Sequence, residues 1–168
     1  KKCFKKLNQD LGKTLSGTTA ATAIILNDTI WVANVGDSRV VLISKNGKVV
    51  QASEDAKPLI PRFYQGVRKR GGGVISNSLL DDDDDDDDCP RVGGILAMAR
   101  AFGDTHVKGV CANPKITSFP LSDFQDGYMI VASDGFFDVA STNEAGRAIL
   151  QMHDKKCPDL RSDSRNPS

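Results

Sequence analysis

Two β-rich runs, Thr18–Leu26 and Thr29–Val35, are separated only by Asn27-Asp28, and this constrains the chain more than any other local feature. β-branched and aromatic residues fit a pleated surface, while Asn and Asp tolerate the left-handed backbone of a two-residue hairpin turn. The two runs are therefore expected to pair antiparallel. Gly36-Asp37-Ser38 breaks the pattern before Arg39–Ser44, and Asn46-Gly47 predicts a second hairpin, of type I′, into Lys48-Val49-Val50. Four consecutive strands would then form a meander.

From Ile60 the period changes. Ile60, Phe63, Tyr64 and Val67 follow helical spacing, with Pro61 suited to the first turn and Arg68-Lys69-Arg70, then Gly71, to the last. Two short strands are predicted at Val74-Ile75-Ser76 and Arg91–Ile95, and Leu96–Phe102, rich in Ala and Met, reads as one or two helical turns ending at Gly103-Asp104. Ser141-Thr142-Asn143-Glu144 is a capping box, which starts a helix over Ala145–Met152.

Between the two short strands Asp81–Asp88 is an unbroken run of eight acids. Such a run repels itself and buries no apolar surface, so a solvated, disordered insertion over 77–90, at a hairpin tip, is expected. The formal net charge of zero hides this asymmetry, because 22 basic residues face 14 acidic ones elsewhere. No aromatic residues are interleaved with the Lys and Arg in a nucleic-acid-binding pattern, so no nucleic-acid partner is expected. No apolar run has the length needed to cross a bilayer and no signal peptide is visible, so no membrane partner is expected. Cys3, Cys89, Cys111 and Cys157 have no short paired spacing. Reduced structural thiols in an intracellular protein, cytoplasmic or nuclear, are expected over disulfides or zinc. A single domain spans residues 1–153, and 154–168 reads as a polar, disordered tail. The sequence sets no oligomeric state.

The apolar run Tyr128–Ala132 stops at Ser133-Asp134-Gly135, with Asp138 four residues after Asp134. Read alone, Asp134 is either a turn residue that bonds its own backbone or a carboxylate held at the edge of a rigid element, where a cation can reach it. Asp37 occupies a comparable strand-breaking place upstream. Three carboxylates on turns form a candidate hard-metal set, and oxygen-only ligation favours Mg²⁺ or Mn²⁺ over zinc. His106 and His153 do not stand at ligand spacing.

Six motifs follow in order: Ser16-Gly17-Thr18-Thr19-Ala20, Val35-Gly36-Asp37-Ser38-Arg39, Gly72-Gly73-Val74-Ile75, Leu96–Asp104, Pro114-Lys115-Ile116 and Ala132–Val139. As a set, over roughly residues 12 to 152, the series resembles the PP2C (PPM) family of metal-dependent protein serine/threonine phosphatases. The resemblance implies an α+β fold, a PP2C-like α/β/β/α sandwich of two antiparallel sheets flanked by helices, incomplete at both ends. By motif match it makes Asp134 a ligand of the catalytic metals, Mg²⁺ or Mn²⁺, and associates Asp37 and Asp138 with a further metal. It also implies a phosphoprotein substrate, with phosphoserine or phosphothreonine hydrolysed by a metal-activated water and no protein nucleophile.

The departures from the family pattern are as informative. No Asp-Gly-His-Gly-Gly segment, upstream phosphate-binding Arg or late Asp-Asn motif occurs in this sequence. The family's Asp-His-Lys-Pro stands here as Asp55-Ala56-Lys57-Pro58, and a usual Ser is Ala99. The expectation is the central portion of a phosphatase domain, weakly active or inactive by itself. The alternative is a pseudophosphatase that keeps the sandwich as a binding or scaffolding module.

Overall fold

The computed structural model describes residues 1–76 and 89–154, and its architecture turns on a crossing at Gly36. β2 (Ala20–Leu26) and β3 (Thr29–Val35) form the expected hairpin, with Asn27 and Asp28 both left-handed at φ 47 and 56°. β4 (Arg39–Ile43) does not continue that sheet. It pairs instead with β5 (Val49–Gln51) on one side and β10 (Tyr128–Ala132) on the other, while β9 (Lys115–Pro120) joins β3. The predicted four-strand meander is thus two hairpins in two different three-stranded antiparallel sheets.

The reason lies in the side chains on either side of the crossing. Ile30 and Val32 of β3 and Val40 and Leu42 of β4 are all buried in one cluster with Ala52 and Phe124. A flat meander would leave these residues on a solvated face, whereas two stacked sheets bury both inner faces at once. Gly36 permits the crossing: it sits at φ 96°, and a Cβ there would lie 2.4 Å from Thr19 Cγ2. β4 is buried on its other face too, through Val41 and Ile43.

α4 (Thr142–Asp154) packs against β4 and β5. Gly146 lets it approach, since a Cβ there would meet Val49 Cγ2 at 2.4 Å. The capping box forms as predicted. Ser141 donates from its backbone N–H and its hydroxyl to Glu144 Oε2, at 2.9 and 2.7 Å, and its Oγ accepts from the Glu144 N–H at 3.3 Å.

A second buried cluster gathers Phe63 and Val67 of α2 (Pro61–Lys69) with Val92, Val107, Ala56 and Ala99. It carries the short ladder of β6 (Val74–Ile75) and β7 (Arg91–Val92), paired Val74 to Val92. The acidic run predicted at its tip lies outside the described residues, as does the predicted tail after Asp154. At the N-terminus α1 (Lys2–Asp10) stacks Phe4 on Phe102 at 5.4 Å, beside a two-residue ladder of β1 (Gly17–Thr18) with β8 (Phe102–Gly103).

Two local expectations change. Asn46-Gly47 does not form a type I′ turn: the Gly47 N–H bonds Ser44 O at 3.0 Å and only Gly47 is left-handed, so the loop is a turn closed by a glycine bulge. Leu96–Phe102 is not helical. Its backbone groups bond elsewhere, with Leu96 bridged to Val92 and the Ala99 N–H donating to Ala56 O at 2.7 Å.

Leu42 fills the sandwich interior, so Leu42→Ala should cost about 2–5 kcal/mol in urea unfolding. The Ser141 hydroxyl, and then the Ser141 N–H, hold the Glu144 carboxyl below its ordinary 4.5. The carboxylate therefore stabilises the folded state fully above that value, and the contribution is lost as pH falls through the lowered one. Amide protection at the first turn of α4, taken relative to the unstructured exchange rate at the same pH, should fall on acidification below pH 4.5, and Ser141→Ala should weaken that pH dependence, leaving the part due to the Ser141 N–H.

Candidate functional site

Antiparallel register brings two of the predicted carboxylates to one end of one sheet. Ala132 of β10 pairs with Arg39 of β4, so Asp134 lies two residues beyond the pair on one strand and Asp37 two residues before it on the other. The strand-ending motifs, almost a hundred residues apart in sequence, are thus neighbours through the β4–β10 ladder.

Their environments differ. Asp37 is 3% accessible, in the Gly36 crossing. Its Oδ2 accepts from the Lys57 ammonium at 3.0 Å, and its Oδ1 is buried without a hydrogen-bond partner. Around it, Asn34 Nδ2 donates to Gly36 O and Glu54 O, both at 3.2 Å, the Ala56 N–H donates to Gly36 O at 2.9 Å, and Ser38 Oγ bonds Thr19 Oγ1 at 2.6 Å. Partial burial pulls the Lys57 ammonium down, but the hydrogen bond and charge of Asp37, with Asp55 beyond, outweigh it and leave its pKa above the ordinary lysine value.

Asp134 is exposed at the first position of a single helical turn, α3 (Asp134–Phe137), and its Oδ1 accepts from the Gly135 N–H at 2.9 Å. Asp138 is also exposed, one residue past that turn. Among the described residues no group of three or more His, Cys, Asp or Glu side chains stands close enough to hold a metal ion. The three predicted carboxylates therefore share a region without forming a ligand cage. Asp37 is held by Lys57, and Asp134 is turned onto its own backbone. The residues present do not make up a divalent-metal centre by themselves, so no chemical step is assigned to a metal here.

Arg39 fixes the frame between these carboxylates. Its Nε and Nη2 donate to the two oxygens of Asp55 at 3.2 and 2.6 Å, its Nη1 donates to Thr142 Oγ1 at 2.9 Å, and its guanidinium lies 4.5 Å from the Phe137 ring centroid. One side chain joins the start of β4, the Asp55 loop, the N-terminus of α4 and the turn between Asp134 and Asp138. The sequence reading did not single out Lys57 or Arg39 as site residues. Their partners are 16 to 103 residues away, and the one local signal was their place inside motifs already quoted.

The two core departures from the family pattern meet in space. Ala56 and Ala99 are both fully buried in the α2 cluster, and the Ala99 N–H bonds Ala56 O. Neither substitution leaves a polar group stranded.

The fold is a sandwich of two antiparallel sheets flanked by helices. The Protein phosphatase 2C family model matches residues 3–164, and the chain belongs to that family. It is 40% identical over 140 residues to "Probable protein phosphatase 2C 11" of Arabidopsis thaliana, covering 83% of this chain and 34% of that protein. It is 37% identical to Protein phosphatase 1L of Bos taurus over 143 residues, covering 83% and 37%. The crystal structure of serine-threonine phosphatase 2C from Toxoplasma gondii superposes with a TM-score of 0.69 at 23% identity, over 90% of this chain and 52% of that one, and shares the fold. The chain thus spans 34% and 37% of the two curated relatives' lengths. Among the described residues no helix is long and apolar enough to cross a membrane.

The Arg39–Asp55 pair is mostly buried, with side chains 17% and 12% accessible. Arg39→Met, which strands Asp55, should destabilise the fold by about 3–5 kcal/mol, and adding Asp55→Leu should recover much of that loss. Urea unfolding of the two variants checks both signs.

Proposed function

We propose that these residues are the central part of a metal-dependent protein serine/threonine phosphatase that hydrolyses phosphoserine and phosphothreonine in phosphoproteins. The observation that carries this reading is the β4–β10 register, which sets Asp37 and Asp134 at one sheet end in a member of this family. Asp134, Asp37 and Asp138 are read as ligands of Mg²⁺ or Mn²⁺, completed by donors from outside the described residues. Hard oxygen donors of this kind suit those ions. The chain taken alone is read as weakly active or inactive. We read the protein as intracellular, cytoplasmic or nuclear, which the free thiols of Cys3, Cys89 and Cys111 support.

A second reading, a pseudophosphatase serving as a binding module, is favoured by one observation: the Asp37 charge is already neutralised by Lys57.

Hydrolysis of a phosphothreonine peptide in the presence of Mn²⁺ separates the two. A polypeptide in which this chain is fused to the flanking portions of a family member should turn the peptide over, and Asp134→Ala should lower the rate by at least about 100-fold. No turnover by the fused protein at saturating Mn²⁺ would select the binding module. Metal-dependent turnover by the chain alone at the fused protein's rate would overturn the claim that further donors are needed.

A further inference from the structure

We propose that two copies of this chain join edge to edge through β2, pairing antiparallel about Ala23, so that their two β2–β3–β9 sheets become one continuous sheet.

The argument starts from backbone groups at the sheet edges. Among the described residues β2 is bonded to β3 on one side and to no strand on the other. An open edge displays a row of free N–H and C=O groups, and proteins guard such edges with short strands, charges or Pro. The other three edges of the two sheets show these devices. β5 is only three residues long, and β9 carries Lys115 and ends in Pro120. β10 has Asp126 and Asp134 two positions beyond its ends, and an antiparallel pair of β10 strands would set those acids directly opposite each other. β2 has no such guard: its seven residues, Ala-Ala-Thr-Ala-Ile-Ile-Leu, hold no charge and no Pro, and their register with β3 is unbroken from Ala20 to Leu26.

The side chains of β2 point to the same conclusion. Ile24 and Leu26, on the outer face of the sheet, are each 57% exposed, and Ile24 stands opposite the half-exposed Trp31. Ile25 stands opposite the buried Ile30, on the core-facing side, yet it is 58% exposed, so it overhangs the rim of the core. Contiguous apolar surface of this kind marks an interaction site. Its occupant must offer both a free backbone edge and apolar side chains, which is to say an extended strand.

A second copy meets both demands. With Ala23 on the two-fold axis, Ile24 stands opposite Thr22 of the second copy, Ile25 opposite Ala21 and Leu26 opposite Ala20. Every bulky residue meets a small one, and outer residues meet outer residues as the pleat requires. Ala21 and Ala23, which pack against the sandwich core, gain cover from Ile25 of the second copy. No charge within the strand opposes another, and a formal net charge of zero does not hold the copies apart.

Sedimentation equilibrium of the chain tests the pairing, and the wild type should show a monomer–dimer equilibrium. Ile24→Lys sets like charges diagonally across the axis, and Thr22→Glu does the same with the opposite sign. Each should weaken the dimer by about tenfold. Combining the two puts opposite charges face to face twice, so the double variant should dimerise about tenfold more tightly than either single one. A wild type that stays monomeric at every concentration, a double variant no tighter than the single ones, or open-ended polymers in place of a dimer overturns the proposal.

Both positions lie on the outer face, and circular dichroism checks that the variants fold. Should they not fold, amide exchange of the wild type decides. Raising the protein concentration should slow exchange along β2 and leave β9 unchanged, and equal exchange at all concentrations overturns the pairing. Protection of β2 that appears only when the flanking portions of a family member are fused to the chain gives the edge to an intramolecular strand, and likewise overturns it.

Discussion

The guanidinium of Arg39 is the interaction on which the rest of this structure depends. It stands at the head of β4, the strand buried on both faces, and reaches the Asp55 loop, the cap region of α4 and the ring of Phe137. A lysine could hold one of those partners, but only a planar fork satisfies both oxygens of a carboxylate while its face stacks on an aromatic ring. Ion pairs of this kind contribute little net stability over a well-packed apolar pair. What Arg39 supplies is registration: it fixes where the Asp134 turn stands relative to the Gly36 crossing.

That division explains which parts of the fold were legible in the sequence. The Asn27-Asp28 hairpin, the Pro61–Lys69 helix and the Ser141–Glu144 capping box are all decided by residues within four positions of one another, and all three form as read. The meander failed because strand order is decided by which faces must be buried together, and β3 and β4 bury the same face only when stacked. Leu96–Phe102 failed for a related reason. Its composition suits a helix, but the Ala99 amide bonds Ala56 O, 43 residues upstream, and no local rule anticipates a partner that far away.

The candidate site shows the same limit more sharply. Motif order identified the family and pointed to Asp37, Asp134 and Asp138, yet nothing in the spacing distinguished a carboxylate at 3% accessibility from two on the surface. Burial gives these residues different chemistry. The buried Asp37 carboxylate has the Lys57 ammonium at 3.0 Å as its partner, while Asp134 and Asp138 are exposed to water. Lys57 is therefore part of the site in a way that the motif alone does not express.

Ala56 and Ala99 bear on the choice between enzyme and binding module. Taken singly along the sequence, each looks like the erosion of a polar position. In the fold they touch, share one apolar cluster with Phe63, Val67, Val92 and Val107, and are linked backbone to backbone. Two alanines leave no polar side chain at either position to be satisfied. The alanine pair suits an apolar cluster that still has to fold. It leaves the Asp37 crossing and the Arg39 frame intact on the adjacent side, so these departures report on the packing of the α2 cluster and do not count against the carboxylate site.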